Sequence, residues 1–201
     1  MTADNMEFAP SRRLPLRRPP YDEQTLRNIE NTAFKGLSPL NLRLALAHHP
    51  KLGEKFQAIA QTVLFEAEIE MRPKELAIMR TCALAGNEYA WGMHVAIYGE
   101  RVGLDEAAVD DLTLAPSWRE LTDPRWSESD RLAIRVADEL HRDANVEDET
   151  WARLNETWPT GEVIELIFSA GVYRLASCFI NSTAVPLETG QARFPDGYRR
   201  A

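Results

Sequence analysis

The sequence predicts an all-α protein. Three observations carry this. Apolar residues recur at three-to-four spacing through most of the chain beyond Tyr21, capping residues stand before those runs, and no segment alternates apolar and polar residues between turn signals as a strand would.

The elements follow in order. Residues 1–20 hold Pro10, Pro15, Pro19 and Pro20 among arginines and predict an extended arm, either wrapped on a neighbouring subunit or mobile. Residues 21–186 predict a single helical domain. Tyr21–Phe34 is the first helix. Ser38 as N-cap with Pro39 at the first helical position opens a second, which stops before Pro50. Lys51–Glu68 carries Leu52, Phe56, Ile59, Val63 and Leu64 on one face. Arg72–Pro73 starts a helix ending near Gly86, and the next runs from Asn87 or Glu88 to about Arg101, closed by Gly103. A short helix begins at Asp105–Glu106.

Residues 114–126 look irregular, with Pro116, Trp118, Pro124 and Trp126. Ser127 with Asp130 resembles a capping box for a helix reaching about Arg142. Val146–Trp158 is another helix, whose Trp151 and Trp158 form a core stripe at i+7. Thr160 is expected to cap a long apolar helix from Gly161 to about Thr183, and Pro186 marks a stop. Residues 187–201 are polar and expected to be a loose tail.

Composition narrows the function. A 201-residue chain with 44% hydrophobic and 27% charged residues is long enough to bury its own core. The net charge of −8 argues against a sequence-independent grip on nucleic acid and against an anionic membrane surface. No apolar run is read as reaching the ~20 residues of a membrane span. Cys82 and Cys178 form neither a CxxC pair nor a metal spacing and are expected to be small core residues; with no secretory signal at the N-terminus, a cytoplasmic location is expected. His48–His49 is a helix end, where a cation suits the dipole, and no carboxylate or His recurs around it at metal-ligand spacing. Nucleotide-binding glycine motifs and the serine-hydrolase elbow are absent, so no metal and no cofactor is expected.

The chemistry concentrates in Arg72–Gly103, RPKELAIMRTCALAGNEYAWGMHVAIYGERVG. This reads as two antiparallel helices joined by a tight turn at Gly86–Asn87. Glu75 lies early on the first helix, and His94 lies mid-way along the second, on one face with Ala90, Trp91 and Tyr98. An imidazole flanked by aromatics and a carboxylate has an acid–base role open to it; a satisfied structural histidine is the plainer reading.

The same block resembles the signature of the carboxymuconolactone decarboxylase/alkyl-hydroperoxidase-D-like superfamily. There a Glu in an (R)xxELxxL helix stands nineteen residues before the His of an ExxCxxCxxxH motif, and Glu75 to His94 keeps that spacing. Gly103-Leu104-Asp105-Glu106 resembles the family's opening of the next helix. The resemblance implies an AhpD-like helical bundle and a homo-oligomer: a trimer, hexamer or dimer. The motif's cysteine positions are Asn87 and Ala90 here, so the peroxidase route lacks both its attacking and its resolving thiol.

What the resemblance leaves is the decarboxylase-like branch: a cofactor-free lyase or isomerase acting on a small carboxylated or lactone-type compound. In it His94 would donate a proton, Glu75 would orient His94, and Tyr89 or Tyr98 would hydrogen-bond the developing enolate. Arg80 is a candidate for gripping the carboxylate, while Trp91 and Asn87 are candidate pocket residues. A non-catalytic small-molecule-binding homologue is the alternative, and a thiol-dependent hydroperoxidase using Cys82 or Cys178 is a third.

Overall fold

The computed structural model describes residues 13–30 and 40–200, and among these there is helix and loop but no strand. The helices are α1 (Glu23–Glu30), α2 (Asn41–Leu46), α3 (Pro50–Gln61), α4 (Met71–Leu84), α5 (Glu88–Tyr98), α6 (Glu106–Leu114), α7 (Glu128–Asp143), α8 (Asp148–Thr157) and α9 (Thr160–Thr183). The expected cap at Ser38–Pro39 and the end of the first helix, residues 31–34, lie outside the described residues.

Helix starts follow local chemistry. Asn87 accepts from Ala90 N at 3.0 Å, Asp105 accepts from Ala108 N at 2.8 Å, and Ser127 with Asp130 forms the reciprocal capping box. Gly86 (φ 66°) and Gly103 (φ 72°) make the left-handed turns on either side of α5. The helix expected to run to Glu68 stays α-helical only to Gln61 and finishes in one wider π turn, Thr62–Glu66. That expected to reach Arg101 ends at Tyr98 and tightens into a 3₁₀ turn, Glu100–Val102. His49 is the N-cap of α3, its Nδ1 accepting from Leu52 N at 3.3 Å, so the His48–His49 pair that ends one helix also opens the next. Thr160 is the first residue of α9, not its cap; Pro159 holds that position with no side-chain bond.

α4 is the central element. Every residue from Pro73 to Ala83 is buried, because α5, α6, α7 and α9 pack around it. Charged side chains on a helix buried all round need partners, and each of the three in this stretch has one, although the Thr81 hydroxyl and Arg80 Nη2 have none among the described residues. Lys74 Nζ donates to Leu64 O at 3.0 Å, Arg80 Nε donates to Asp138 at 2.7 Å, and Glu75 meets His94. The larger apolar core joins α2, α4, α5 and α9, while a second cluster packs Ala77 against Leu132, Val136, Leu154, Val163 and Leu166. Trp158 packs on that second cluster, but Trp151 is 45% exposed and forms no core stripe with it. Cys82 is a core residue as expected, whereas Cys178 is exposed on α9. By length and composition α9 is apolar enough to cross a membrane, contrary to the reading of the sequence, with half of that stretch buried inside the chain.

Both ends of the described chain are tied down. Within 13–20 the backbone is extended, as expected, but it is bonded to its own chain: Leu14 N donates to Thr183 O and Arg17 N to Leu44 O, both at 3.2 Å, and Leu16 is buried. The tail expected to be loose is packed across α5. Gln191 Nε2 donates to Glu88 O at 3.0 Å and to Tyr89 O, Arg193 pairs with Glu88, and the Phe194 ring lies 4.8 Å from that of Trp91. Gly92 permits this approach, since a Cβ there would stand 2.2 Å from Ala192 O. Gly92→Ala is therefore expected to cost about 1–3 kcal/mol by forcing the tail off. Trypsin should then cut at Arg193 in the variant and not in the parent; equal cleavage of the two would contradict the strap.

Candidate active site

The turn at Gly86 folds α5 back along α4, which sets His94 opposite Glu75. His94 Nδ1 lies 2.6 Å from Glu75 Oε2, and both side chains are buried. With the carboxylate as acceptor, the imidazole donates from Nδ1. In that tautomer Nε2 accepts, and the Tyr173 hydroxyl of α9, 2.7 Å away, donates to it. The Tyr173 ring meets the imidazole edge-on at 4.7 Å, and Tyr98 lies on its other side at 5.4 Å. The result is a buried chain, Glu75–His94–Tyr173, drawn from three helices.

This chain forms part of the wall of a cavity of about 130 Å³. α2 and α3 supply one side through Leu42, Arg43, Leu46, Phe56 and Gln57; α5 and α9 supply the other through Met93, Ile97, Val172 and Ala176 together with His94, Tyr98 and Tyr173. The lining is mainly apolar. Among the described residues Arg43 is the one guanidinium in it, held by Asn28 O and Gln57 Oε1, each 2.9 Å from Nη1.

Among the residues singled out from sequence, Glu75 and His94 meet, and His94, Tyr89 and Tyr98 line the cavity. The Tyr89 hydroxyl is used structurally, donating to Glu188 and accepting from Leu42 N. Arg80 does not line the cavity: its guanidinium is fixed by Asp138 and by the carbonyls of Leu112 and Ala115. Trp91 turns to the other edge of α5, where its Nε1 donates to Thr113 Oγ1 at 3.1 Å. Asn87 caps α5 and donates to Ser177, so it too is outside the cavity. Sequence reading missed Tyr173, Arg43 and Gln57. The usable signal for Tyr173 was a lone phenol on the buried side of an otherwise apolar helix.

Burial, reinforced by the nearby Glu75 charge, pushes the Tyr98 phenol up to about 12 and raises Tyr173 well above the ordinary tyrosine range. The folded values exceed the unfolded value of about 10, so the neutral phenols contribute stability that is present below pH ~10 and is lost as pH rises through the folded values. An alkaline titration should show tyrosinate absorbance from these two residues appearing together with loss of helical circular dichroism. Full ionisation of all five tyrosines near pH 10 with the helices intact would contradict this. Cys82 is also buried, its thiol raised by burial and by Glu75, which is the opposite of what a thiolate nucleophile needs.

No protein-family model and no curated protein matches this sequence. Solved structures do. An uncharacterised peroxidase-related protein from Silicibacter sp. TM1040 superposes with TM-score 0.72 at 18% identity, over 89% of this chain and 93% of that one. A debrominase, solved as a cysteine-to-alanine variant with 2,3,4-tribromopyrrole, gives 0.65 at 17% identity, over 83% and 85%. A protein of unknown function from Agrobacterium tumefaciens, described as a putative antioxidant defence protein AhpD, gives 0.63 at 18% identity, over 72% and 95%. With its helical order and these superpositions over most of its length, the chain has the AhpD-like helical fold.

Proposed function

We propose that this protein is a cofactor-free acid–base enzyme, a lyase or isomerase, acting on a small and mainly apolar compound that bears a carboxylate or lactone group. The observation that carries the reading is the buried Glu75–His94–Tyr173 chain ending at an apolar cavity. Glu75 fixes the tautomer, His94 presents Nε2 as a base, and Tyr173 holds the proton next to the substrate. The catalytic proton passes through the phenol, so Tyr173 takes the contact with substrate that the sequence alone assigned to His94. When a carbanion or enolate forms, Tyr173 delivers its phenolic proton to carbon and regains one from solvent. In isomerisation His94 Nε2 first takes the Tyr173 proton, and the phenolate removes a proton from one substrate carbon. The phenol returns it at another, and His94 then gives back the proton it holds. Arg43 is the group suited to hold the substrate carboxylate, in the role first given to Arg80.

The cavity volume supports a substrate the size of one ring. It is close to the ~150 Å³ apolar cavity that accepts benzene. The debrominase with its bound tribromopyrrole is consistent with this scale. A protein that only binds such compounds is the second reading, favoured by one observation: both ring nitrogens of His94 are already engaged. Thermal-shift screening of small aromatic and lactone carboxylic acids identifies the binders. Proton NMR in deuterated water, with detection of released CO₂, then separates the readings. The enzyme reading expects carbon–deuterium exchange or CO₂ release from at least one binder; binders that undergo neither leave the binding reading.

A further inference from the structure

A second cavity, of about 350 Å³, opens where three distant parts of the chain meet. Ser177, Cys178 and Asn181 of α9 line it, together with three guanidinium side chains: Arg13 of the N-terminal arm, Arg174 of α9 and Arg200 of the tail. It shares no lining residue with the apolar cavity, and no carboxylate lines it among the described residues. Such a gathering of cations runs against a chain whose net charge is −8. Like charges in one recess repel each other, and an anion seated among them offsets that repulsion.

Each arginine is set in place by its surroundings. Arg13 Nη1 donates to Ser182 O at 3.0 Å. The Arg200 stem lies over the turn between α4 and α5, since a Cβ on Gly86 would stand 2.8 Å from its Cδ. Two residues earlier the Tyr198 hydroxyl donates to Ala83 O and fixes the tail there. Arg174 Nη1 lies 2.7 Å from His141 Nδ1; a guanidinium only donates, so the imidazole nitrogen accepts and the ring is neutral. Burial holds His141 below the ordinary histidine range, and the charges of Arg174, Arg80 and Arg200 push the same way, against Asp138. Asp138 itself is engaged by Arg80 Nε and Trp118 N. Arg174 thus rests on a neutral imidazole, although an ionised oxygen is the stronger acceptor for a guanidinium.

We infer that this cavity is a second binding site, for a small molecule that carries a phosphate group, with Arg174 and Arg200 as its grip and Arg13 at its rim. Several guanidiniums suit the two charges and multiple acceptor oxygens of a phosphate monoester better than a single carboxylate. On binding, Arg174 turns from His141 to the phosphate. His141 then loses a neighbouring donor and gains a neighbouring anion, so its pKa rises.

The probes are inorganic phosphate and phenyl phosphate, added to the full chain at low ionic strength. Two readouts follow occupancy without reference to catalysis. One is the titration of His141 by NMR. The other is the reaction of Cys178 with the uncharged disulfide dithiodipyridine, since Cys178 lines the cavity and is exposed while Cys82 is buried. Both probes should raise the His141 pKa and slow the thiol saturably, phenyl phosphate at the lower concentration. Arg174→Ala and Arg200→Ala should each weaken phosphate binding, read by the thiol, about tenfold with helical circular dichroism unchanged. That is the size of one lost hydrogen bond to a charged group. No saturation at millimolar phosphate, or the same effect from sodium chloride at matched ionic strength, would overturn the inference, because the arginines would then only be screened. So would binding unaltered in both variants, or malonate binding more tightly than phosphate.

Discussion

Replacing His94 with Ala should lower the free energy of unfolding by about 3–5 kcal/mol, the range seen when one member of a buried ionic or hydrogen-bonded pair is removed. Glu75 is 1% exposed and its Oε2 rests on His94 Nδ1 at 2.6 Å. Without the imidazole the carboxylate stays inside the bundle with no donor, and the Tyr173 hydroxyl loses its acceptor at the same stroke. For a chain of this size the loss corresponds to a fall in Tm on the order of 10 °C. The double variant Glu75→Leu/His94→Ala should recover part of the loss, because the orphaned charge is gone while the apolar volume is largely kept. Urea unfolding of the parent, the single and the double variant measures both steps. A cost under about 1 kcal/mol for His94→Ala would mean that water reaches Glu75 and that the site is not the dry, paired arrangement described.

How much of this was legible beforehand follows from the range of the interactions. Gly86, Asn87, Asp105 and Ser127 act on atoms within a turn of themselves, so helix ends and the α4–α5 hairpin could be read from local sequence. The Glu75–His94 pair was legible because one tight turn joins its two helices and because its nineteen-residue spacing resembles the family motif; the residues alone left a structural histidine as the plainer reading. Tyr173 lies 79 residues from His94, and no local spacing connects them. Arg43 reaches the cavity only because α2 and α3 are laid over α5 and α9. The errors share a cause. Arg80 and Trp91 were assigned to the pocket because they sit near His94 in the hairpin, yet α7 and α6 claimed them through Asp138 and Thr113. The polar tail looked loose because its anchor is not its own composition but a glycine in α5 that leaves room for its backbone, and the capped N-terminus of α5 offers Glu88 to Arg193.

Tyr173→Phe should leave the fold and ligand affinity nearly intact and reduce turnover by roughly 10²–10⁴, the usual contribution of a positioned general acid or base. The substitution removes one oxygen. The ring keeps its edge-on contact with His94 and its place among Val172, Ala176 and Ile180. His94 Nε2 loses its donor, a cost of about 1 kcal/mol, since a neutral ring nitrogen left without a donor forfeits a single ordinary hydrogen bond. Carbon protonation loses more, because no phenolic proton remains at the cavity wall. kcat should therefore fall while KM and the thermal shift given by a bound ligand stay close to those of the parent. The outcome separates three roles for the chain Glu75–His94–Tyr173. A loss confined to kcat assigns the proton to Tyr173. A loss in stability with turnover unchanged per folded molecule makes the phenol a structural brace on His94. Turnover unchanged in Tyr173→Phe but abolished in His94→Ala returns the proton to the imidazole, with the substrate displacing the phenol from Nε2 on binding.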